Sequence, residues 1–160
     1  MDYQEFTHLI EEAPRKDQMF LSILYLSGCR VSEALALTYK DLNIYEDMLY
    51  IQFKRLKGSK QNSPQQIPLI YLLRDILTLS GVLFPFSRTT AYRIVKRYFP
   101  ELYPHYFRMN FIMQTGIALG GLAAKRTVSI TWGAMEHYEG DFDLKKVGEL
   151  WQHKTREGLK

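Results

Sequence analysis

The sequence holds one cysteine, Cys29, so no internal disulfide can form and a reducing compartment suits the chain. No stretch of about 18 uncharged apolar residues occurs, so a membrane-spanning helix is excluded and no membrane partner is expected. The opening Met1-Asp2-Tyr3-Gln4-Glu5 is acidic and polar, unlike a secretory signal. No repeat and no Gly-, Ser- or Pro-rich linker divides the 160 residues. HExxH, paired Cys/His at zinc spacing, and a Gly-rich loop followed by Lys-Ser/Thr are all missing, so no metal and no cofactor is expected.

Carboxylates are also scarce where bases are dense. Residues 48–135 contain two acids, Asp75 and Glu101, against twelve Lys and Arg, a local charge of about +10. Residues 1–47 carry nine acids and four bases, about −5, so the net +4 hides a strong asymmetry. A long segment so depleted of carboxylates suits a surface facing a polyanion; a merely solvated basic face is the plain alternative. Apolar residues make up 46% and charged residues 24%, ordinary for a globular protein and enough for a core without staples.

The pattern predicts a mostly helical α+β domain with one small antiparallel sheet. Tyr3 to Ile10 reads as an amphipathic helix ending near Pro14. Asp17 can cap a second helix that Gly28 interrupts, and Ser32 can open a third, Glu33 to Leu37. Leu49 to Phe53 alternates and is rich in Tyr, Ile and Phe, so it reads as a strand. Gln66 to Leu69 is the return strand of a hairpin with basic residues at its tip. Helices are expected from Tyr71 to Leu79, from a Ser87 or Thr89 cap to Tyr98, and from Pro104 to Gly116. Gly120 and Gly121 break the pattern. Asp143 can cap a final helix with Leu144, Val147, Leu150 and Trp151 on one side.

The two-metal route to phosphodiester cleavage needs clustered carboxylates, and the basic middle has none. Chemistry on a nucleic-acid phosphate would then fall to fixed cations and a side-chain nucleophile. Three local patterns fit. Gly28-Cys29-Arg30-Val31-Ser32-Glu33 presents an Arg in a Gly turn before a helix. His105-Tyr106-Phe107-Arg108 puts His105 and Arg108 on one helical face. Glu136-His137-Tyr138-Glu139-Gly140 holds a Tyr shortly before a Gly break. Singly, each has a dull reading: a surface Arg, a helix-start His, one of eleven tyrosines.

In this order they resemble the catalytic domain of the tyrosine recombinases, the phage integrase family. Leu24-Tyr25-Leu26-Ser27-Gly28-Cys29-Arg30-Val31-Ser32-Glu33-Ala34-Leu35-Ala36-Leu37 is similar to the family's box around its first arginine, and Thr38-Tyr39-Lys40-Asp41-Leu42 continues it. Pro104-His105-Tyr106-Phe107-Arg108 looks like the second box, and Leu83-Phe84-Pro85 upstream has the family look. The resemblance spans about Phe6 to Gly140.

It implies that a Tyr hydroxyl attacks a DNA phosphodiester, giving a 3′-phosphotyrosyl bond and a free 5′-hydroxyl, and that a second 5′-hydroxyl reverses the step. By this resemblance Arg30 and Arg108 clamp the phosphate, His105 assists proton transfer and Tyr138 is the nucleophile; no Tyr follows Tyr138. The family's Lys sits at the turn between two strands, which indicates Lys57, with Lys60 second. The sixth position is less well matched. Arg126 ranks first, as in integrases of the archaeal-virus type, and Trp132 second. Arg55, Lys60, Arg88, Arg93, Lys96 and Arg97 are the expected phosphate contacts.

The implied activity is a site-specific recombinase or integrase acting on double-stranded DNA without metal. A non-catalytic DNA-binding relic, a type IB topoisomerase-like nicking-closing enzyme and a basic RNA-binding module are the alternatives. The expected division is residues 1–140 as catalytic domain and 141–160 as a tail helix. The tail docks on its own core or on a neighbouring copy, the latter giving self-association on DNA. The family's core-binding domain would precede this region, so the sequence is a piece of a longer chain or a minimal form. The resemblance places the protein in the cytoplasm of a prokaryote, encoded by the cell or by a virus.

Overall fold

A computed structural model describes residues 1–54, 64–128 and 144–157; the side chains of residues 122, 126 and 157 are not described. Helix α1 (Tyr3–Ile10) starts at Asp2, whose carboxylate accepts from the Glu5 amide at 2.9 Å. Its apolar face, Tyr3, Phe6 and Ile10, is buried.

Helix α2 (Arg15–Ser27) is the centre of the fold, with every residue from Asp17 to Ser27 buried. It begins at Pro14 rather than at an Asp17 cap. Pro fixes its own φ and lacks an N–H, so the helix starts directly after it. Asp17 instead lies in the first turn, where its carboxylate accepts from the Tyr98 hydroxyl at 3.2 Å and faces Arg97 at 3.9 Å. Gly28 ends α2 with φ +63°, and a Cβ there would lie 2.7 Å from the Phe111 ring. Conformation and space both demand glycine.

The third helix, α3 (Val31–Leu35), is capped by Arg30, not Ser32. The Arg30 amide donates to Glu33 Oε1 at 2.7 Å, the backward half of a capping box. The expected hairpin is present with one strand more. Strands β1 (Leu42–Tyr45), β2 (Met48–Ile51) and β3 (Gln65–Pro68) form an antiparallel sheet in the order β1-β2-β3, with Leu49 opposite Ile67 and Tyr50 opposite Gln66.

Tyr71 to Leu79 is not a helix but two 3-10 turns, Tyr71–Leu73 and Ile76–Thr78. Arg15 holds this segment, donating to the Tyr71 carbonyl at 2.6 Å and to Asp75 at 3.1 Å. Buried Leu72, Leu73 and Ile76 mimic helical spacing in sequence.

Helix α4 (Arg88–Tyr98) is capped by Ser87, whose hydroxyl accepts from the Thr90 amide at 3.0 Å. Helix α5 (Pro104–Leu119) runs a turn further than its pattern suggests, to Gly120. The paired glycines separate two helices rather than ending helical structure, because Gly121 opens α6 (Gly121–Thr127).

Helix α7 (Leu144–Glu157) packs on β3, α5 and α6 of the same chain. Trp151 is fully buried there, stacked on Phe111 at 4.9 Å and edge-on to Tyr25 at 5.6 Å, and its indole N–H donates to Thr115 at 3.0 Å. A Cβ on Gly148 would come within 3.0 Å of Gln66 Cβ, so helix and strand meet at backbone distance. Val147 and Trp151 of this helix join the same buried cluster as residues of α2 and α5. The Asp143 cap lies outside the described residues. Among the described residues no helix is long and apolar enough to cross a membrane.

Candidate functional site

The turn from Ser27 to Arg30 is pinned at each residue. Ser27 O accepts from the buried Gln65 amide at 2.9 Å, and Ser27 Oγ accepts from the Cys29 amide at 3.2 Å. Gly28 O accepts from Arg108 at 2.9 Å, and the Arg30 amide is held by Glu33. Strand β3, helix α5 and helix α3 thus converge on the segment that presents the Arg30 side chain.

Arg108 forms the floor of this arrangement. It is 3% exposed and sends a second N–H to the Val128 carbonyl at 3.1 Å, tying the end of α6 to the Gly28 turn. Glu33, 2% exposed, faces the Arg108 guanidinium at 3.8 Å. A buried guanidinium needs a nearby anion and acceptors for its N–H groups, and Glu33 with the two carbonyls supplies them.

Above that floor opens a cleft of about 690 Å³. Arg30, His105 and Arg108 line it, so three of the predicted catalytic residues meet, although Arg30 and His105 lie far apart in the chain; the predicted phosphate contacts Arg88 and Arg93 line it too. His105 is exposed at the start of α5. Helix α4 also lines the cleft, contributing Arg88, Thr89, Tyr92 and Arg93. Among the described residues, no acidic side chain lines the cleft. Nor does any group of three or more His, Cys, Asp or Glu among them stand where it could hold a metal ion.

The remaining α4 bases divide by partner. Lys96 donates to the Pro100 carbonyl at 2.9 Å and sits 3.7 Å over the Tyr103 ring, whereas Arg97 turns towards Asp17. Arg126 belongs to α6, and nothing is described of its side chain. Arg55, Lys57, Lys60, Trp132 and Tyr138 lie outside the described residues. Strands β2 and β3 pair antiparallel on either side of the undescribed residues 55–63.

In the sequence Glu33 stands out only as part of the first box. The Arg-x-x-Glu spacing at a helix start was the signal for its backward cap. Nothing in the sequence marked Gln65, which works through a contact 38 residues away. Chain order sets Tyr92 and Tyr103 aside as nucleophiles, and nothing in the sequence marks either as a cleft residue, since exposed tyrosines carry no periodicity.

The phage integrase family model matches residues 1–111, more than two-thirds of the chain. The chain belongs to the phage integrase family. The matched stretch includes Arg30, His105 and Arg108 and ends before Arg126, Trp132 and Tyr138. The fold is that of the tyrosine recombinase catalytic domain. Two solved structures of the XerH site-specific recombinase are similar to it. The pre-cleavage complex with difH substrate superimposes with a TM-score of 0.68 at 16% identity, over 93% of this chain and 52% of that one. The post-cleavage complex with palindromic difH gives 0.63 at 16% identity, over 99% and 50%. This phage integrase family chain therefore spans about half the length of those recombinases. No curated protein matches the chain.

Proposed function

We propose that the chain is the catalytic part of a site-specific DNA recombinase that cuts and rejoins strands through a 3′-phosphotyrosyl intermediate. The observation that carries this reading is the convergence of Arg30, His105 and Arg108 on one cleft whose described lining has no acid. A phosphodiester placed there meets fixed cations on a rigid turn, and its transition state carries more negative charge than its ground state. Donors set in advance stabilise that added charge without reorganising.

In the proposed step Tyr138 Oη attacks phosphorus as its proton leaves, assisted by His105. The new P–O bond replaces the bond to the 5′ oxygen, which takes a proton from Lys57, or from Lys60 as second choice. Arg126, or failing it Trp132, donates to a phosphate oxygen. Another strand's 5′-hydroxyl then attacks the phosphotyrosine, restoring the tyrosine and the phosphodiester count. Arg88 and Arg93 on the α4 wall would contact flanking phosphates, with Arg55 and Lys60 from the hairpin tip. Association of copies through residues 141–160 belongs to the same reading and requires α7 to release Trp151 from the core.

Arg30→Ala tests the reading. Its guanidinium is assigned to the transition state, so single-turnover cleavage should fall about a hundredfold or more, about 2.7 kcal/mol, with a much smaller change in DNA affinity. An unchanged cleavage rate would remove Arg30 from the clamp.

A further inference from the structure

Two tyrosines line the same cleft as Arg30. Tyr92 comes from α4 and is 42% exposed; Tyr103, the N-cap of α5, is 57% exposed. Their rings lie 5.9 Å apart at 57°. Tyr103 is fixed from two directions. Its carbonyl accepts from the Tyr106 amide at 2.8 Å, and the Lys96 ammonium lies 3.7 Å over its ring while bonded to Pro100 O. A cation over one face helps to hold a ring in place, and more than half of Tyr103 stays exposed. Arg88, Thr89, Tyr92 and Arg93 project from the same side of α4, so the aromatic pair is flanked by charges that suit phosphates.

From this placement we propose that Tyr92 and Tyr103 form a stacking ledge for an unpaired base next to the phosphate held at Arg30. The inference rests on the recombinase reading and deepens it. Bases within a duplex hide their faces in the stack, so an aromatic ledge gains little from intact DNA. Cleavage as proposed leaves a strand with a free 5′-hydroxyl, and its terminal bases can leave the stack. A ledge beside the cut would hold such a base while the strand waits to rejoin or to exchange. Stacking tolerates any base, so the ledge favours unpaired nucleotides over a particular sequence.

The test uses the full chain and two DNA probes of one sequence, a fully paired duplex and a duplex with a three-nucleotide unpaired 5′ flap carrying 2-aminopurine. The wild-type chain is expected to bind the flap probe about tenfold more tightly than the paired one and to quench the 2-aminopurine signal. Tyr92→Ala and Tyr103→Ala should bring the affinity ratio towards one and abolish the quench, whereas Tyr92→Phe and Tyr103→Phe should keep both. Loss in the Phe variants as well would mean that the hydroxyls act by hydrogen bonding and would overturn stacking. A wild-type chain that binds paired DNA without preference for the flap overturns the ledge alone. One that binds neither probe overturns the recombinase reading and the ledge with it.

Discussion

Glu33→Gln is the sharpest perturbation of the site's foundation. The Glu33 carboxylate accepts from the Arg30 amide at 2.7 Å and faces the Arg108 guanidinium at 3.8 Å, with both side chains almost wholly buried. Gln keeps the shape and an oxygen for the Arg30 amide, but leaves the buried Arg108 charge without this carboxylate. Removing one partner of a buried ion pair costs about 3–5 kcal/mol, and the retained hydrogen bond places this change near the lower figure. For a domain of this size that corresponds to a fall in melting temperature of roughly 6–12 °C. Glu33→Ala should cost about 1 kcal/mol more, because the backward cap on Arg30 is lost as well. Thermal unfolding followed by circular dichroism reads both. A Glu33→Gln protein melting within about 2 °C of wild type would refute the bracing argument.

Two further outcomes follow from the core. Trp151→Ala removes the stack on Phe111 and strands the Thr115 hydroxyl, so stability should drop by about 3–5 kcal/mol in a denaturant titration. An unchanged midpoint would show that α7 does not dock on its own chain. Burial raises the phenol pKa values of Tyr3 and Tyr25 above the ordinary 10.0. The folded state therefore holds these protons more tightly than the unfolded one. Their contribution is intact below about pH 10 and declines as pH rises above it. Melting temperatures that stay level from pH 9 to about pH 12 would contradict that assignment.

Much of the fold was legible because period and punctuation agreed. Leu49 and Ile51 alternate inward and pair with β3, and Gly28 stops α2 where the pattern breaks. Strand β1 was missed because its four residues are only half-buried in alternation and lie between Asp41 and the Glu46-Asp47 turn, which read as loop. Residues 71–79 carried helical spacing, but Arg15 captures the Tyr71 carbonyl, and short turns satisfy the same burial. The site was legible through its boxes, not through spacing: only the fold brings Arg30 to His105 and Arg108. That Arg108 braces the Gly28 turn through two carbonyls could not be read from His-x-x-Arg. That depends on partners 80 and 20 residues away.

Trapping the covalent intermediate tests the central claim most directly. A suicide duplex nicked beside the cleavage point loses the short fragment that bears the 5′-hydroxyl, so rejoining fails and the protein stays attached. The expected product is a protease-sensitive protein–DNA adduct whose phosphate maps by mass spectrometry to Tyr138, with no adduct in Tyr138→Phe at equal DNA occupancy. An adduct that persists in Tyr138→Phe, or its absence in wild type while the duplex is bound, would contradict the account.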